Sequence, residues 1–485
     1  MDSDRKYCAR NRRSFLKGVF DTLAAGVCAK IPGGGRLFAA PCGWKPGGSP
    51  NLVVGLVSDT HLRTARSRRP TARPWPDTFY TRALEYFRDA NVDVVLHCGD
   101  MANYGEVEAI ERHLEIWRRV FPKSKAPDGH KVELLAVSGN HDLEGQGMNA
   151  YVRNVYAAPD FRARHILAAD VKKHWERIWG EKYENVWHKE IKGYHFFGRQ
   201  WGVDQMETAR QINELGPSLG LDKGCKPFFL VSHSRPFPPM RSAISRYKAN
   251  ALAFFGHSHI SSTNWRTIYY APDTFPRMQI PPCISPDWKI KFADGALSGN
   301  TPIQGSEATG PCRQGIVMRV YDNMLVFERR EFCEGGSLGA DWVMPLGKCA
   351  GREHPFSANA LRKKIGTPQF RADAKLKAEL AKSSAGADVV RLAIPHADGN
   401  PESRVYVYDV AITGSGGGET CRKTVYAAGC NMAVGHETNG GATTLDVPVA
   451  ELPPGENVTF CVRPKTSLGT EGRPARVHFR RDGRA

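Results

Sequence analysis

Five short polar stretches contain most of the side chains in this sequence that could bind a metal or transfer a proton. They read SDTH, HCGD, SGNHD, VSHS and GHSH and begin at Ser58, His97, Ser138, Val231 and Gly256. A turn uses the Gly or Ser in each stretch, but it does not need the Asp, His and Asn side chains beside them. One such stretch carries little weight, whereas five in one chain predict a single functional cluster.

Each polar stretch follows an apolar run that predicts a buried strand. The runs are NLVVGLVS, VDVVLH, VELLAVS, KPFFLVS and ALAFFG, and GYHFFG predicts a further strand of the same type. Helical patterns occupy 78–89 and 106–120. Continuous apolar runs separated by helices indicate an α/β fold whose sheet is covered on both faces. Open α/β sheets build their sites at the carboxyl ends of strands, which is where the polar stretches lie.

The five stretches, in this order, resemble the signature of the calcineurin-like metallophosphoesterase family, over residues 51–335. The resemblance implies a metallophosphoesterase α/β/β/α sandwich with two metal ions at the strand ends. It also implies the ligands of each ion. The first ion would be bound by Asp59, His61, Asp100 and His259. Asp100 would also bridge to the second ion, whose remaining ligands would be Asn140, His233 and His257.

The resemblance further implies a mechanism. Carboxylate, amide and imidazole ligands suit transition metals such as Mn, Fe or Zn. Two such ions lower the pKa of a bridging water, whose hydroxide would attack phosphorus. The family assigns the His of the third stretch, His141, to the leaving group. Asp142 follows it and is expected to orient the imidazole and raise its pKa. We therefore expect His141 and Asp142 to be catalytic residues.

Some residues near the stretches depart from the pattern or add to it. Purple acid phosphatases have a metal-binding Tyr three residues after the Asp of the second stretch. Here that position is Asn103, and Tyr104 comes one residue late, which disfavours an Fe(III)–tyrosinate centre. His97 is expected to be structural. The loop after His61 could form a cationic lip for anionic substrates or simply a solvated surface, and it contains Arg63, Arg66, Arg68, Arg69 and Arg73.

The N-terminus resembles a twin-arginine export signal. The sequence NRRSFLKG places Arg12 and Arg13 before a weakly apolar stretch over 19–29, and small residues near Ala39 and Ala40 allow cleavage. We therefore expect a signal peptide over 1–40, the twin-arginine export machinery as a partner, and a periplasmic or extracellular location. Because no later segment has eighteen consecutive apolar residues, no transmembrane helix is expected.

Composition bounds the remaining possibilities. The 485 residues predict two or three domains, and 41% hydrophobic and 24% charged residues are typical of globular proteins. The net charge of +17 favours anionic partners without distinguishing nucleic acid from membrane. The twelve cysteines contain no CxxC pair, so a cysteine metal site is not expected. Disulfides within 283–349 and within 421–461 stay open alternatives.

The domain boundaries follow from changes in composition. The metallophosphoesterase domain is predicted over 51–344, with an insertion over 144–190 that is helical, aromatic and charged. A polar linker with one helix is predicted over 345–385. Alternating strands and Gly-rich turns then predict an all-β sandwich, similar to fibronectin type III, over 386–482. Because the sandwich contains no phosphoesterase motif, a chain that ends near residue 345 is expected to keep catalysis.

The leading prediction for function is an exported hydrolase of phosphate mono- or diesters with a small anionic substrate. The alternative is a surface-attached binding protein, in which the sandwich is the working module and the metal domain a scaffold. A nuclease is compatible with the charge. However, no basic patch interleaved with aromatic residues supports nucleic-acid binding.

Overall fold

The structure is a computed structural model. It describes residues 48–63, 76–143, 171–223, 226–283, 303–304, 309–310, 312–347, 353–399, 404–415, 419–437 and 441–481. All of them belong to one compact unit, 40–485. The predicted export signal, the arginine-rich loop after Arg63 and residues 144–170 of the predicted insertion lie outside the described residues.

The described chain contains twenty-one strands. In chain order they are β1 Leu52–Val57, β2 Val94–His97, β3 Glu133–Ala136, β4 Val186–Ile191, β5 Tyr194–Arg199, β6 Phe228–Ser232, β7 Ala251–Phe255, β8 Ile268–Tyr269, β9 Arg277–Gln279, β10 Ile303–Gln304, β11 Gln314–Val320, β12 Met324–Glu331, β13 Gly336–Ser337, β14 Trp342–Pro345, β15 Lys377–Lys382, β16 Asp388–Ile394, β17 Val405–Gly414, β18 Glu419–Tyr426, β19 Thr443–Pro448, β20 Asn457–Thr466 and β21 Ala475–Arg480. The α-helices are Pro76–Asp89, Val107–Val120, Val171–Trp179, Gln205–Leu219, Pro238–Ala243 and Ala358–Lys364.

Two mixed sheets form the N-terminal part of the molecule. The first has the order β13-β12-β11-β1-β2-β3, with β14 paired to β12. The second has the order β4-β5-β6-β7-β9-β8. Strands β1, β2 and β3 are parallel to one another, and so are β5, β6, β7 and β9. The predicted hairpin of β11 and β12 closes the first sheet in antiparallel register.

The side chains of β1 show how the two sheets pack. Leu52, Val54 and Leu56 point into a core that they share with aromatic residues of the second sheet such as Phe229 and Phe254. The alternate residues of β1 point to the other face and pack under the helices Pro76–Asp89 and Val107–Val120. Helices Gln205–Leu219 and Pro238–Ala243 cover the second sheet in the same way. Because both faces of each sheet are buried, the strands read as continuous apolar runs. The predicted α/β/β/α fold is confirmed.

The C-terminal part is an all-β sandwich, as predicted. One sheet is β15-β16-β19, and the other is β10-β18-β17-β20-β21. All pairings are antiparallel except the short parallel pair of β10 and β18. Alternate residues of the two sheets meet in a common core that includes Val390, Leu392, Tyr408 and Phe460. The more specific fibronectin type III assignment stays a prediction.

The segment predicted as a linker is more structured than expected. Phe356, Leu361 and Ile365 pack into the core between the two N-terminal sheets, next to Trp265 and Trp342. Strand β15 then joins the sandwich. The polar composition of 345–385 hid these few apolar side chains, whose burial depends on partners far away in sequence. In the same way, β4 starts at residue 186, so the last residues of the predicted insertion belong to the second sheet.

Other predictions concern the membrane and the cysteines. Within the described residues, no helix combines the length and the apolar character that crossing a bilayer requires. The described cysteines are free thiols, and four of them, Cys98, Cys283, Cys312 and Cys430, are buried. No disulfide therefore joins the described cysteines of 283–349 or of 421–461.

Candidate metal centre

The five polar stretches meet at the edge where the two N-terminal sheets face each other. Three of them leave the carboxyl ends of β1, β2 and β3, and two leave β6 and β7. Backbone hydrogen bonds hold these loops together: the N–H groups of Asp59 and His61 donate to the carbonyls of Gly99 and Asp100, both at 3.0 Å. The predicted ligands, which are up to 200 residues apart in sequence, are therefore brought into one cluster.

One half of the cluster consists of Asp59, His61, Asp100 and His259, as the sequence predicted. His259 Nε2 lies 2.9 Å from Asp59 Oδ1 and 3.1 Å from His61 Nε2. His61 Nε2 lies 3.8 Å from Asp100 Oδ2. All four side chains are buried. Two imidazole nitrogens and two carboxylates therefore point at one small volume.

The other half consists of Asp100, His233 and His257, completed by Asn140. Asn140 Oδ1 lies 3.0 Å from His233 Nε2 and 2.8 Å from His257 Nδ1. The two imidazole nitrogens are 3.2 Å apart. His257 is the exposed member of the seven predicted ligands, so the cluster opens to solvent on its side.

Asp100 joins the two halves. Its Oδ2 atom lies 3.1 Å from His233 Nε2 in one half and 3.8 Å from His61 Nε2 in the other. Its Oδ1 atom accepts a hydrogen bond from the backbone N–H of His141 at 2.9 Å. One oxygen is thus shared between the two halves while the other is held by the backbone. This is the arrangement that a bridging carboxylate requires.

The backbone at the ligands adopts a conformation that side chains other than glycine rarely accept. Asp59, His61, Asp100, His257 and His259 all have positive φ, between 46° and 74°. A residue other than glycine with positive φ costs folding free energy, of order 1–3 kcal/mol where its conformation is strained. Such residues concentrate at functional sites. The fold holds five of the seven predicted ligands in this costly conformation, which supports their functional role.

Steric crowding explains why two positions in the polar stretches are glycine. A Cβ at Gly139 would lie 2.1 Å from Asp100 Oδ1 and 2.4 Å from Asp100 N. A Cβ at Gly256 would lie 2.0 Å from Ser58 Oγ and 2.6 Å from Asp59 Oδ2. Each of these glycines therefore leaves room for a ligand that comes from a different strand.

The buried charges of the cluster shift one another's pKa values. Burial alone would raise the pKa of Asp100, but His233 and His141 outweigh that effect and lower it well below the usual range. Burial would lower the pKa of His233, but the charge of Asp100 raises it to about 9. Burial, with a further contribution from His141, lowers the pKa of His61, which keeps that ring neutral. The buried carboxylates are therefore ionised and held by positive charge, and with the imidazole nitrogens they are a donor set that fits two transition-metal ions.

His141 lies beside the first half of the cluster. Its ring is 4.7 Å from that of His61, edge to face. Its Nδ1 atom is 2.8 Å from the carbonyl oxygen of Asn103, and because a carbonyl only accepts, Nδ1 carries the proton. In the neutral ring this leaves the lone pair on Nε2, so the ring can take up or release a proton there.

Asp142 does not do what the sequence predicted. Its Oδ1 accepts from the backbone N–H of Ala102 at 2.7 Å and its Oδ2 from that of Gly139 at 2.8 Å. The expected orientation of His141 by Asp142 is therefore replaced by the Asn103 carbonyl. Burial and the nearby charge of Asp100 raise the pKa of Asp142 to about 7. Its carboxyl group ties the second and third polar stretches together, which is a positioning role.

His97 is structural, as expected. The backbone N–H of Gly99 donates to its Nδ1 at 3.2 Å, so the ring proton is on Nε2, which faces Thr60 Oγ1 at 3.1 Å. The Thr60 hydroxyl in turn donates to the Met101 carbonyl at 3.2 Å. The ring therefore links the first two polar stretches from behind the ligands. Burial lowers its pKa to about 3.

The loop after β5 also borders the cluster, although no sequence pattern marked it. The indole of Trp201 lies 5.4 Å from the ring of His257 and 5.6 Å from that of His233. The backbone N–H of Ser138 donates to Gln200 Oε1 at 2.7 Å. This loop reads GRQWG and also follows an apolar run, but it contains no Asp or His and so gave no ligand signal.

Comparison with known proteins agrees with this site. Residues 52–261 match the model of the calcineurin-like phosphoesterase family. That range includes all seven predicted ligands together with His141 and Asp142. No curated protein matches the chain. The chain therefore contains a calcineurin-like metallophosphoesterase domain, which is followed by a further β region.

Several solved structures are similar to this chain. A dimetal phosphatase from Danio rerio is 11% identical with a TM-score of 0.35, and the match covers 61% of this chain and 99% of that one. A purple acid phosphatase from yellow lupin (Lupinus luteus) seeds is 13% identical with a TM-score of 0.38, covering 62% and 54%. Vacuolar protein sorting 29 from Cryptosporidium parvum is 13% identical with a TM-score of 0.27, covering 61% and 98%.

Proposed function

We propose that the protein is a metal-dependent hydrolase of phosphate mono- or diesters. The observation that supports this most directly is the pair of ligand clusters joined by Asp100 Oδ2, with His141 at their edge. Asp59, His61, Asp100 and His259 would hold one ion, and Asn140, His233 and His257 would complete the site of the other with Asp100. Mn, Fe or Zn fits these donors. When bound, two such ions stabilise charge on phosphoryl oxygens and lower the pKa of a water.

His141 would transfer a proton at the leaving group. The Asn103 carbonyl fixes its ring with Nδ1–H pointing away from the cluster, so Nε2 is the atom that exchanges a proton with the substrate. A protonated Nε2 can donate to a leaving alkoxide, which otherwise departs with difficulty. General acid catalysis of this kind contributes about a hundred- to ten-thousand-fold in rate.

The burial pattern supports entry of the substrate from the His257 side. His257 is exposed and His141 is half-buried, whereas the other six predicted ligands are buried. Trp201 is half-buried and covers one flank of His257 and His233. A phosphate ester would thus approach with its leaving group between His141 and solvent. The buried ligands would exclude water from the side of the cluster opposite to His257.

The test of this proposal is hydrolysis by the purified full-length chain loaded with Mn or Zn. The substrates are p-nitrophenyl phosphate, bis-p-nitrophenyl phosphate, cyclic nucleotides and DNA. We expect turnover of at least one small ester and no turnover by Asp100→Ala, with metal content measured for both. A metal-loaded, folded protein that hydrolyses none of them would overturn the proposal.

We further propose that the protein is exported, through Arg12 and Arg13, to the periplasm or the cell exterior. The twin arginines and the weakly apolar stretch that follows them support this. We also propose that the sandwich is similar to fibronectin type III, from its alternating strands and Gly-rich turns.

Export is tested by fractionating cells that express Arg12→Lys with Arg13→Lys. Unchanged export of that variant would refute the twin-arginine assignment.

A further inference from the structure

A cluster of three arginines lies near the metal centre but takes no part in it. Arg235 follows β6, Arg241 lies in the helix Pro238–Ala243, and Arg277 begins β9. The guanidinium carbons of Arg235 and Arg277 lie 5.2 Å and 5.9 Å from the centre of the Tyr269 ring. Arg241 is close enough to Arg277 to act on its charge. Two cations thus lie at one aromatic ring, and a third lies near one of them.

The region between the three side chains, here called the recess, becomes less exposed from Arg235 to Arg277. Arg235 is exposed, Arg241 is half-buried, and Arg277 is 7% exposed. Tyr269 is half-buried and forms one wall. The recess therefore has a charged floor, a charged rim and an aromatic side.

The N–H groups at the floor of the recess lack hydrogen-bond partners. Nε and Nη1 of Arg277 and Nε of Arg241 are buried and make no hydrogen bond with any described residue. Buried donors of a charged group are costly to leave unpaired. The Tyr269 ring lies 5.9 Å from the guanidinium carbon of Arg277 and provides no hydrogen-bond partner for these N–H groups. These donors point to a ligand that accepts hydrogen bonds.

The charges in the recess are also unbalanced. Within the described part of the chain, none of the three arginines forms an ion pair with a carboxylate, and Asp273 acts on Arg277 only from beyond ion-pair distance. Burial, with further contributions from Arg241 and Arg235, lowers the pKa of Arg277 to about 10. An anion in the recess would relieve this repulsion. Planar guanidinium groups bind phosphate oxygens in pairs, which suits a phosphate group best.

The rim of the recess is held in place before any ligand binds. Gln205 Nε2 donates to the Arg235 carbonyl at 3.1 Å, and Gln205 Oε1 accepts from the backbone N–H of Phe237 at 2.8 Å. Arg199 Nη2 also donates to Ser234 Oγ at 2.6 Å. The loop that carries Arg235 is therefore fixed on both sides, so binding an anion would require little ordering.

The recess is connected to the metal centre through strands β6 and β7. Arg235 lies two residues after the predicted ligand His233. The ring of Tyr269 lies 6.0 Å from that of Phe255, which lies two residues before the predicted ligand His257.

Arg277 lies back along the sheet from the carboxyl end of β7. It pairs with Ala253, four residues before His257. His257 is the predicted ligand exposed to solvent. A substrate that reaches both sites therefore has to extend from the open side of the metal centre along this part of the sheet.

We propose that Arg235, Arg241 and Arg277 bind a second phosphate group of the substrate, the one that is not hydrolysed. This assignment rests on the proposed function of the metal centre and narrows it to esters that carry two phosphate groups. The metal centre would hold the reacting phosphate. The recess would hold the other and so set both the orientation of the substrate and the preference for it.

The first test compares esters that differ only in the second phosphate. The metal-loaded full-length chain is assayed with the bisphosphates of butane-1,4-diol, hexane-1,6-diol and octane-1,8-diol, and with the alkyl monophosphates of the same lengths. We expect kcat/KM for at least one bisphosphate to exceed that for its monophosphate by about 10- to 100-fold, the effect of one or two charged hydrogen bonds. Arg277→Gln and Arg235→Gln should lose this preference and keep the monophosphate rate.

A matched control separates the recess from net charge. Arg210 is exposed and pairs with Glu214 at 2.9 Å, so Arg210→Gln removes one positive charge elsewhere on the same side of the fold. It should keep the bisphosphate preference. Equal rates for all bisphosphates and their monophosphates would overturn the proposal, and so would a preference that survives both Arg277→Gln and Arg235→Gln.

The second test does not depend on hydrolysis. Binding of inorganic phosphate to the full-length chain is measured with metals loaded and with metals removed. We expect one bound phosphate without metals in the wild type and in Arg210→Gln, and none in Arg277→Gln. If no ester is hydrolysed but this pattern holds, the proposed function fails while the anion site stands. A metal-free wild type that binds no phosphate would overturn the site itself, and phosphate binding without any bisphosphate preference would overturn its assignment to the substrate.

Discussion

Gln314 links the C-terminal sandwich to the metal centre through a hydrogen bond to Asn431. Its Nε2 donates to the Asn431 carbonyl at 2.9 Å. Its Oε1 accepts from the backbone N–H of Ser262 and from the hydroxyl of Ser261, each at 3.0 Å. Ser261 lies two residues after the predicted ligand His259. The sandwich therefore braces the loop that carries the last two ligands, although it contains no ligand itself.

Loss of this link should weaken metal binding. We expect Gln314→Ala to lower the free energy of unfolding by about 1–3 kcal/mol, because the buried N–H of Ser262 loses its acceptor. We expect it to weaken metal affinity about 10-fold or more, as substitutions of residues that support metal ligands do. Urea unfolding and metal titration measure the two effects.

The same link changes the expectation for truncated chains. A chain that ends at residue 345 lacks Asn431 and also the core residues Phe356, Leu361 and Ile365. A chain that ends at residue 370 lacks only the sandwich and thus serves as the matched comparison. We now expect both to lose metal more readily than the full chain. Full metal retention and full activity in the 370-residue chain would show that the sandwich is dispensable.

Gly139→Ala should disrupt the bridging ligand. The new Cβ would lie 2.1 Å from Asp100 Oδ1, so either Asp100 or the loop with Asn140 has to move. We expect the purified variant to bind fewer metal ions and to lose activity on every ester, as measured by elemental analysis and turnover. Gly129→Ala is the control, since Gly129 has a positive φ but open space around it. That variant should lose some stability and keep its metals.

His141→Ala should separate metal binding from proton transfer. The variant should keep its metal content, because the side chain contacts the Asn103 carbonyl and His61 rather than completing a ligand cluster. Hydrolysis of an alkyl phosphate should fall about a hundred- to ten-thousand-fold, whereas that of an activated p-nitrophenyl ester should fall much less. His478→Ala provides a histidine control at an exposed position. Equal losses for both esters would instead indicate that His141 binds phosphate.

The buried His97 should make the protein sensitive to acid. Because burial lowers its pKa to about 3, the unfolded chain binds a proton below pH 6.5 that the folded chain does not bind. Stability should therefore fall as the pH falls, by about 2 kcal/mol between pH 6.5 and pH 4.5 from this group alone. His97→Gln keeps an acceptor for Gly99 and a donor for Thr60 but does not titrate.

The measurement for His97 is urea unfolding at pH 7 and pH 4.5. We expect the difference in unfolding free energy between the two pH values to shrink by about 2.5 kcal/mol in His97→Gln. His478→Gln, at an exposed position of β21, is the matched histidine control. An unchanged difference in His97→Gln would mean that His97 is protonated in the folded protein.

The sequence alone determined the fold class, the strands that lead into the five polar stretches, and the side chains that meet after them. Strands buried on both faces, such as β1 and β7, have to be continuous apolar runs, and parallel strands place their carboxyl ends at one edge. His257 and His259 could therefore be assigned to a shared site from their position after β7. These features depend on local patterns, which a sequence displays directly.

The tertiary structure decided which groups support the ligands. Asp142 stands next to His141 in sequence, yet its carboxyl group holds Ala102 and Gly139, while His141 is held by a backbone carbonyl. Backbone carbonyls and N–H groups are the same in every residue, so no sequence pattern marks them. Gln314 contacts Asn431 and Ser262, and Arg277 approaches Arg235 and Arg241, only because distant segments pack together. Such contacts are set by the relative placement of whole elements, a property of the folded chain and not of any segment in it.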